Sequence, residues 1–292
     1  MSSEYQYDVA LVILSLNKLE YTKICLESLV ESDYSSFEII VVDNGSSDGT
    51  IDYLKEFDQI AKIRNVGFQL FQFENNAGCS TARNKGVELS RSKYTCFCDN
   101  DVALRQKSWL RKMVQFLDDN PNVGMIGPKI LYPYEPFNIQ CAGAAVTKKG
   151  RVQFCGRGES KDATAFQNSK EVQCLISACC MAPTKLLRDV GGMDEVYNPV
   201  EFEDIDLCYK IREKGYQVWY VADVEIYHFE NVTTEGTPTL PNTYLIVKNG
   251  MTFKKRWKHM FEKENGPPEE EAKWKTIEPK RLSDINTLLR IE

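Results

Sequence analysis

Two carboxylates, Asp99 and Asp101, stand two positions apart at the end of the apolar run YTCFC (94–98). Alternate residues of an extended stretch project to the same side, so this pair can share one hard divalent cation and would repel without it. A third acid, Asp43, ends the apolar run FEIIVV (37–42) in the same way. The residues after it, Asn44-Gly45-Ser46-Ser47-Asp48-Gly49, tolerate tight turns and offer backbone N–H groups. Arg83 falls in the first turn of an expected helix, near the positive end of its dipole. Any one of these acids alone reads as a solvated turn or a helix cap. Together with the turn they suit a metal-bridged diphosphate. No GxGxxG follows a strand and no GxxxxGK[ST] occurs, which argues against a dinucleotide dehydrogenase and a P-loop NTPase.

These residues need elements to hold them. DVALVILSL (8–16) is continuously apolar, as a parallel strand covered on both faces should be, and YTKICLESLVES follows with Ile24, Cys25 and Leu29 at helical spacing. FEIIVVDNGSSDGTIDYLKEF repeats strand, turn and helix, with Ser47 or Asp48 as the expected cap. FQLFQF reads as a third strand, NNAGCSTARNKGVELSRS as a turn into a helix, and YTCFC as the fourth strand. A helix with Leu110, Met113, Val114 and Leu117 on one stripe is stopped by Asn120 and Pro121 before VGMIG. Such alternation predicts a doubly wound α/β sheet with its ligand crevice at the carboxyl ends of the strands.

Composition narrows the partners. Of 292 residues, 36 are Lys or Arg and 42 are Asp or Glu, a net charge of −6, so no global positive field draws nucleic acid or anionic lipid. The apolar run from Val9 to Leu16 is too short to span a bilayer, and Glu4 and Asp8 precede it where a signal peptide carries basic residues, so a cytoplasmic protein is expected. Ten cysteines sit mostly inside apolar runs (Cys96, Cys98, Cys174, Cys179) and read as reduced core thiols; without a CxxC pair and with only His228 and His259, structural zinc is not expected.

VILSLN, VVDNGSSDGT, NNAGCSTARNKG, CDNDV, GGMDE and EFEDIDLCYKIREKGYQVWYV followed by IYHF occur in that order over about residues 8–230. This ordered set resembles glycosyltransferase family 2, in its rhamnosyltransferase-like bacterial branch. The resemblance implies an α/β fold of GT-A type: a Rossmann-like, doubly wound mixed sheet with helices on both faces and a small antiparallel flap. It also implies transfer of a sugar from a nucleoside-diphosphate donor, a UDP-sugar being favoured and dTDP- or GDP-sugars remaining open. On matching positions, Ser15, Asn17, Asp43, Asn76, Gly78, Arg83, Asp99 and Asn100 would surround the nucleotide-sugar. Asp99, Asp101 and His228 would hold Mn2+ or Mg2+, and Val102 stands where some relatives carry a further Asp. A lone His on a strand is otherwise a satisfied core or surface residue.

Glu203 and Asp204 open an amphipathic helix with Leu207, Cys208 and Ile211 inward and Gly215 as its stop, and acids favour that end of a helix whatever else they do. The resemblance makes Asp204 the catalytic base, beside Glu203 and with Asp206 as runner-up. Residues 128–182 are expected to form the flap, a returning strand beneath the site and part of the acceptor pocket. Cys179 and Cys180 lie there as packing residues rather than thiol nucleophiles, and Asp194 of GGMDE is a candidate acceptor contact. We expect a catalytic domain over 1–230, with a nucleotide-binding half to about 102 and an acceptor-binding half over 103–230, then a helical extension and loosely packed tail over 231–292. The basic, aromatic TYLIVKNGMTFKKRWKHMF could rest on a membrane surface or pack against the domain or a second subunit. The acceptor (glycan, lipid-linked or peptide) is not readable. The rival readings are a catalytically silent binding module and a sugar-phosphate nucleotidyltransferase, whose Gly-rich basic first loop is replaced here by SLNKLEY.

Overall fold

A computed structural model describes residues 5–233, 242–278, 280–285 and 289–292. The first half alternates as the apolar periodicity predicts: β1 (Tyr7–Ser15), α1 (Leu19–Leu29), β2 (Phe37–Asp43), α2 (Thr50–Ile63), β3 (Gly67–Gln72), α3 (Cys79–Leu89) and β4 (Ser92–Asp99). A short β5 (Val102–Leu104), α4 (Trp109–Asp119) and β6 (Val123–Leu131) follow. The middle holds β7 (Ile139–Cys141), β8 (Ala144–Val146), β9 (Val152–Phe154), β10 (Lys170–Glu171) and β11 (Cys179–Pro183). The remainder is α5 (Thr184–Asp189), α6 (Glu203–Glu213), β12 (Gln217–His228) and α7 (Asn242–Phe261).

The main sheet runs β10-β12-β6-β11-β4-β1-β2-β3, with β5 on β12 and β7 on β6, while β8 and β9 form a separate antiparallel pair. β1 lies parallel to both β2 and β4, and β11 is inserted antiparallel between β4 and β6. The expected mixed sheet, flap and returning strand are therefore present. Side chains of β1 alternate between two cores. Val9, Leu11 and Ile13 pack with α1 and α2, and Ala10 and Val12 pack with α3. That is why β1 reads as unbroken apolar sequence. α3 approaches β1 closely at Gly86, where a Cβ would lie 2.2 Å from Val12 Cγ1. Helix α2 begins at Thr50 with Gly49, at φ 91°, as its N-cap rather than Ser47 or Asp48; Asp48, one residue earlier, accepts hydrogen bonds from the Thr50 amide and hydroxyl.

Register fixes the crevice. Ser15 pairs with Asp43, and Leu14 with Asp99, so the carboxyl ends of β1, β2 and β4 finish side by side. Val102 of β5 pairs with His228 of β12, and the Phe229 amide donates to the Asp101 carbonyl at 3.0 Å, bringing a distant histidine beside the second acid.

The C-terminal part packs through its helix, and the described tail beyond it is mostly exposed apart from Ala272 but is tied to the flap by hydrogen bonds. α7 buries Phe253, Trp257 and Phe261 in the core that contains α6. Beyond it the chain crosses the β8–β9 flap, where Arg151 Nη1 donates to the Ala272 carbonyl (2.9 Å) and Arg157 Nε to the Lys275 carbonyl (2.8 Å). Gly266 packs directly on the Val146 carbonyl, where no Cβ would fit. Backbone carbonyls hold this segment to arginines of the flap, and periodicity in a sequence carries no trace of such bonds. Residues 234–241, at the start of the extension, lie outside the described residues. No helix among the described residues is long and apolar enough to cross a membrane.

Candidate functional site

A cleft of about 880 Å3 opens at the carboxyl ends of β1, β2 and β4 and is lined by Asn44, Asn76, Arg83, Asp99, Asn100, Asp101, Asp204 and His228, among others. β4 ends at Asp99, and Asn100 and Asp101 form a turn before β5, so a turn rather than a continued strand aligns the two acids. One ligating atom from each of Asp99, Asp101 and His228 lies within 4.8 Å of the others. His228 Nε2 is 3.1 Å from Asp101 Oδ1 and 3.8 Å from Asp99 Oδ2.

Gln140 on β7 holds the other side of that imidazole. Its amide nitrogen donates to the His228 carbonyl (3.2 Å), which leaves Oε1 facing His228 Nδ1 at 2.6 Å. Nδ1 therefore carries a hydrogen and Nε2 faces the acids, the arrangement in which outer partners orient metal-binding histidines. Burial opposes a charge on His228, but Asp101 and then Asp99 outweigh it and lift the group to about 9. The two acids thus create a field that favours positive charge at Nε2, whether from a proton or from a cation. Two hard carboxylate oxygens and one imidazole nitrogen fit Mn2+ or Mg2+.

Arg83 is almost fully buried and bridges both halves of the cleft, with Nη2 2.6 Å from Asp99 Oδ1 and Nη1 2.9 Å from Glu203 Oε1. Asp204 stands beside it at the start of α6. Its Oδ2 accepts from the Ser177 amide (3.0 Å) and its Oδ1 from the Ile205 amide (2.7 Å). Burial raises its carboxyl, while the Ser177 amide and Arg83 restrain the rise. Burial, then the charge of Asp204, pushes Glu203 up to about 8. Glu201, in the left-handed region at φ 85°, is lifted to about 7 by burial and then by Asp204.

At the other end, Asp43 does not line the cleft. Its Oδ1 accepts from the Gly45 and Ser46 amides (3.0 and 2.8 Å) and its Oδ2 from the Ser46 hydroxyl (2.5 Å). Asn17 joins the same loop through the Ser46 hydroxyl and the Ser47 amide, and Asn100 donates to the Asn17 carbonyl. Ser15 is fully buried, and its hydroxyl has no partner among the described residues. Asn76 Oδ1 accepts from the Gly78 amide. Gly78 sits at φ 90°, with Asn198 occupying the space a Cβ would need.

Two acids suggested by the sequence lie elsewhere. Asp206 is completely buried on the α7 side of α6 and accepts from the Tyr197 hydroxyl (2.9 Å), Trp257 Nε1 (2.7 Å) and Arg256 Nη1 (2.8 Å). Asp194 accepts from the Val196 amide and pairs with Arg256 at 2.8 Å. Neither lines the cleft. Both tie α7 and its approach to the body, because residues on one helix two positions apart point to different faces. Cys179 and Cys180 are buried on opposite sides of β11, and burial raises both thiols well above their ordinary range, consistent with packing.

Sequence reasoning missed Gln140, Glu201 and the ion pair of Arg157 with Glu230, which joins the flap to the residue two positions beyond His228 at 2.6 Å. Gln140 and Arg157 sit in short irregular strands and turns, where periodicity is silent. Glu201 opens the motif EFEDIDLCY, two residues before α6, and carried no spacing signal.

Comparison with known proteins places the chain. The family model described as Glycosyl transferase family 2 matches residues 10–190. The uncharacterized protein y4gI of Sinorhizobium fredii is 30% identical over 259 residues, covering 86% of this chain and 27% of that protein. The putative teichuronic acid biosynthesis glycosyltransferase TuaG of Bacillus subtilis is 30% identical over 109 residues, 37% of this chain and 41% of its own length. The chain thus matches well under half the length of either relative. A solved mannosyltransferase, PcManGT from Pyrobaculum calidifontis in complex with GDP-Man and Mn2+, superposes with a TM-score of 0.57 at 18% identity, over 77% of this chain and 57% of that one. That likeness shows the GT-A fold. The extent of the family match and the order of the matched segments show that the chain belongs to glycosyl transferase family 2.

Proposed function

We propose that the protein transfers a sugar from a nucleoside-diphosphate donor to an acceptor hydroxyl by a single displacement with inversion. The observation that carries this reading is one cleft lined both by Asp99, Asp101 and His228 and by the half-buried, amide-held Asp204. Asp99, Asp101 and His228 hold the divalent cation, Mn2+ or Mg2+. When bound, it supplies counter-charge for the diphosphate that leaves. Arg83 adds fixed positive charge beside Asp99, and Glu203 keeps that guanidinium in place. Asp204 accepts the proton of the attacking hydroxyl; burial raises its carboxyl toward the pH at which a base is most effective. Asn44, Asn76 and Asn100 face the nucleotide, with Asp43, Ser15, Asn17 and Gly78 shaping the loops around it.

In this reading the nucleotide is held by the half of the chain up to about residue 102 and the acceptor by 103–230 and the extension. A UDP-sugar is the favoured donor, with dTDP- and GDP-sugars as the alternatives. A role in cell-envelope or polysaccharide biosynthesis, in the cytoplasm, follows the same reading, and the rhamnosyltransferase-like branch is its finer placement. α7 exposes Tyr244, Val247 and Met251 ahead of Lys254, Lys255 and Lys258 on neighbouring turns, a stripe suited to a membrane surface or to a second copy.

Asp204→Asn should bind UDP-sugar like the wild type yet release no nucleoside diphosphate in the presence of acceptor, a loss of at least about a hundredfold. Asp101→Ala should bind donor equally with Mn2+ or EDTA, whereas the wild type should need the cation. Turnover unchanged in the first variant, or wild-type donor binding indifferent to EDTA, would remove the corresponding role.

A further inference from the structure

We infer that the protein binds an acceptor glycan of at least two pyranose units, the unit beyond the accepting sugar stacking on Trp274. This rests on the glycosyl-transfer reading above and extends it to the acceptor. The tail crosses the flap held by Arg151 and Arg157, and this path sets Trp274 at the mouth of the catalytic cleft. The indole is braced by two neighbours. The Arg157 guanidinium lies 4.3 Å from its centroid, and Phe154 meets it edge to face at 5.1 Å. Arg157 is itself buried and held by Glu230 through two hydrogen bonds of 2.6 and 3.1 Å, next to the strand that carries His228. Yet Trp274 remains 56% exposed. A large aromatic braced by two neighbours and still more than half exposed offers the flat, apolar surface that the C–H face of a sugar ring matches.

Trp274 is also a wall shared by two cavities. One is the catalytic cleft; the other, about 460 Å3, is lined by Phe154, Phe166, Gln153, Glu159 and Lys273 besides the indole. Aromatic walls with a few polar groups at the rim are the usual composition of a site that orients a ligand by its hydroxyls. An acceptor whose terminal hydroxyl faces Asp204 therefore continues past the indole into the second cavity. Gln153, Glu159 and Lys273 offer hydrogen bonds there. A single sugar would leave that cavity unfilled, so chain length is what this end of the site reads.

The test uses the full chain, loaded with Mn2+ and UDP, on an array of oligosaccharides of one to six units, comparing wild type with Trp274→Ala and Trp274→Phe. Wild type should retain glycans of two or more units. Trp274→Ala should lose about tenfold in affinity for them with its UDP affinity unchanged, and Trp274→Phe should recover most of the loss. A thermal melt confirms that each variant is folded. Three results overturn the inference while leaving the transfer reading intact: equal glycan retention by Trp274→Ala, no retention of any glycan by a wild type that binds UDP, or weakened UDP binding in Trp274→Ala, which would put the base on the indole. Failure of the wild type to bind UDP at all would instead strike the transfer reading itself.

Discussion

Gln140 shows how much of the site depends on a residue that binds nothing itself. Its amide fixes both the tautomer and the plane of His228. Replacing it with Leu leaves Nδ1 without an acceptor and the ring free to turn. Loss of such an outer partner generally weakens metal binding about 10- to 100-fold. Gln140→Leu should therefore lower Mn2+ affinity by that factor in calorimetric titration, with the protein still folded. At this scale Asp99 and Asp101 were legible as a pair closing a strand, whereas Asp204 stood out only through the family resemblance, since acids favour any helix start. Asp206 and Asp194 were misplaced because spacing along a helix or turn does not say which neighbour has claimed a carboxylate.

Among the elements, α3 approaches β1 closely at Gly86, and this contact locates the Arg83 end of the cleft. Gly86→Ala would set a Cβ 2.2 Å from Val12 Cγ1. The gain in helix propensity, about 1 kcal/mol, opposes an overpacking cost of about 1–3 kcal/mol. We expect net destabilisation, read as a lower denaturation midpoint, and weaker donor binding as Arg83 shifts with its helix. Strands β1, β2 and β4 could be read from apolar runs because both faces of each are covered, whereas β3 lies at the sheet edge and is only half-buried. The short strands β7 to β10 could not, since two or three residues are too few to show a period and their pairing depends on turns.

Over the whole molecule, the acidic floor of the cleft couples its ionisation to folding. Glu201 titrates near 7 in the folded protein against an ordinary value of 4.5, chiefly through burial and then through Asp204. Between those values the folded chain holds a proton that the unfolded chain has released, so this group makes stability fall as pH rises from about 4.5 to 7. Glu201→Gln should make that part of the stability profile shallower in thermal melts across the window, with Glu203, lifted to about 8, supplying slope of the same sign, and an unchanged slope would exclude Glu201 as a source. Fold class and family were open to a reader of the sequence because ordered motifs span most of the chain. The path of the tail was not, because it is held by arginine side chains reaching backbone carbonyls.

The inserted strand β11 has one more consequence. The Asp99 amide donates to the Ala178 carbonyl at 3.1 Å, and the adjacent Ser177 amide donates to Asp204 at 3.0 Å. A single peptide step thus acts as a ruler between Asp99 at the end of β4 and Asp204 at the start of α6. The two acids cannot drift apart independently, and the residue between their tethers, Ala178, is itself locked into the core while lining the cleft.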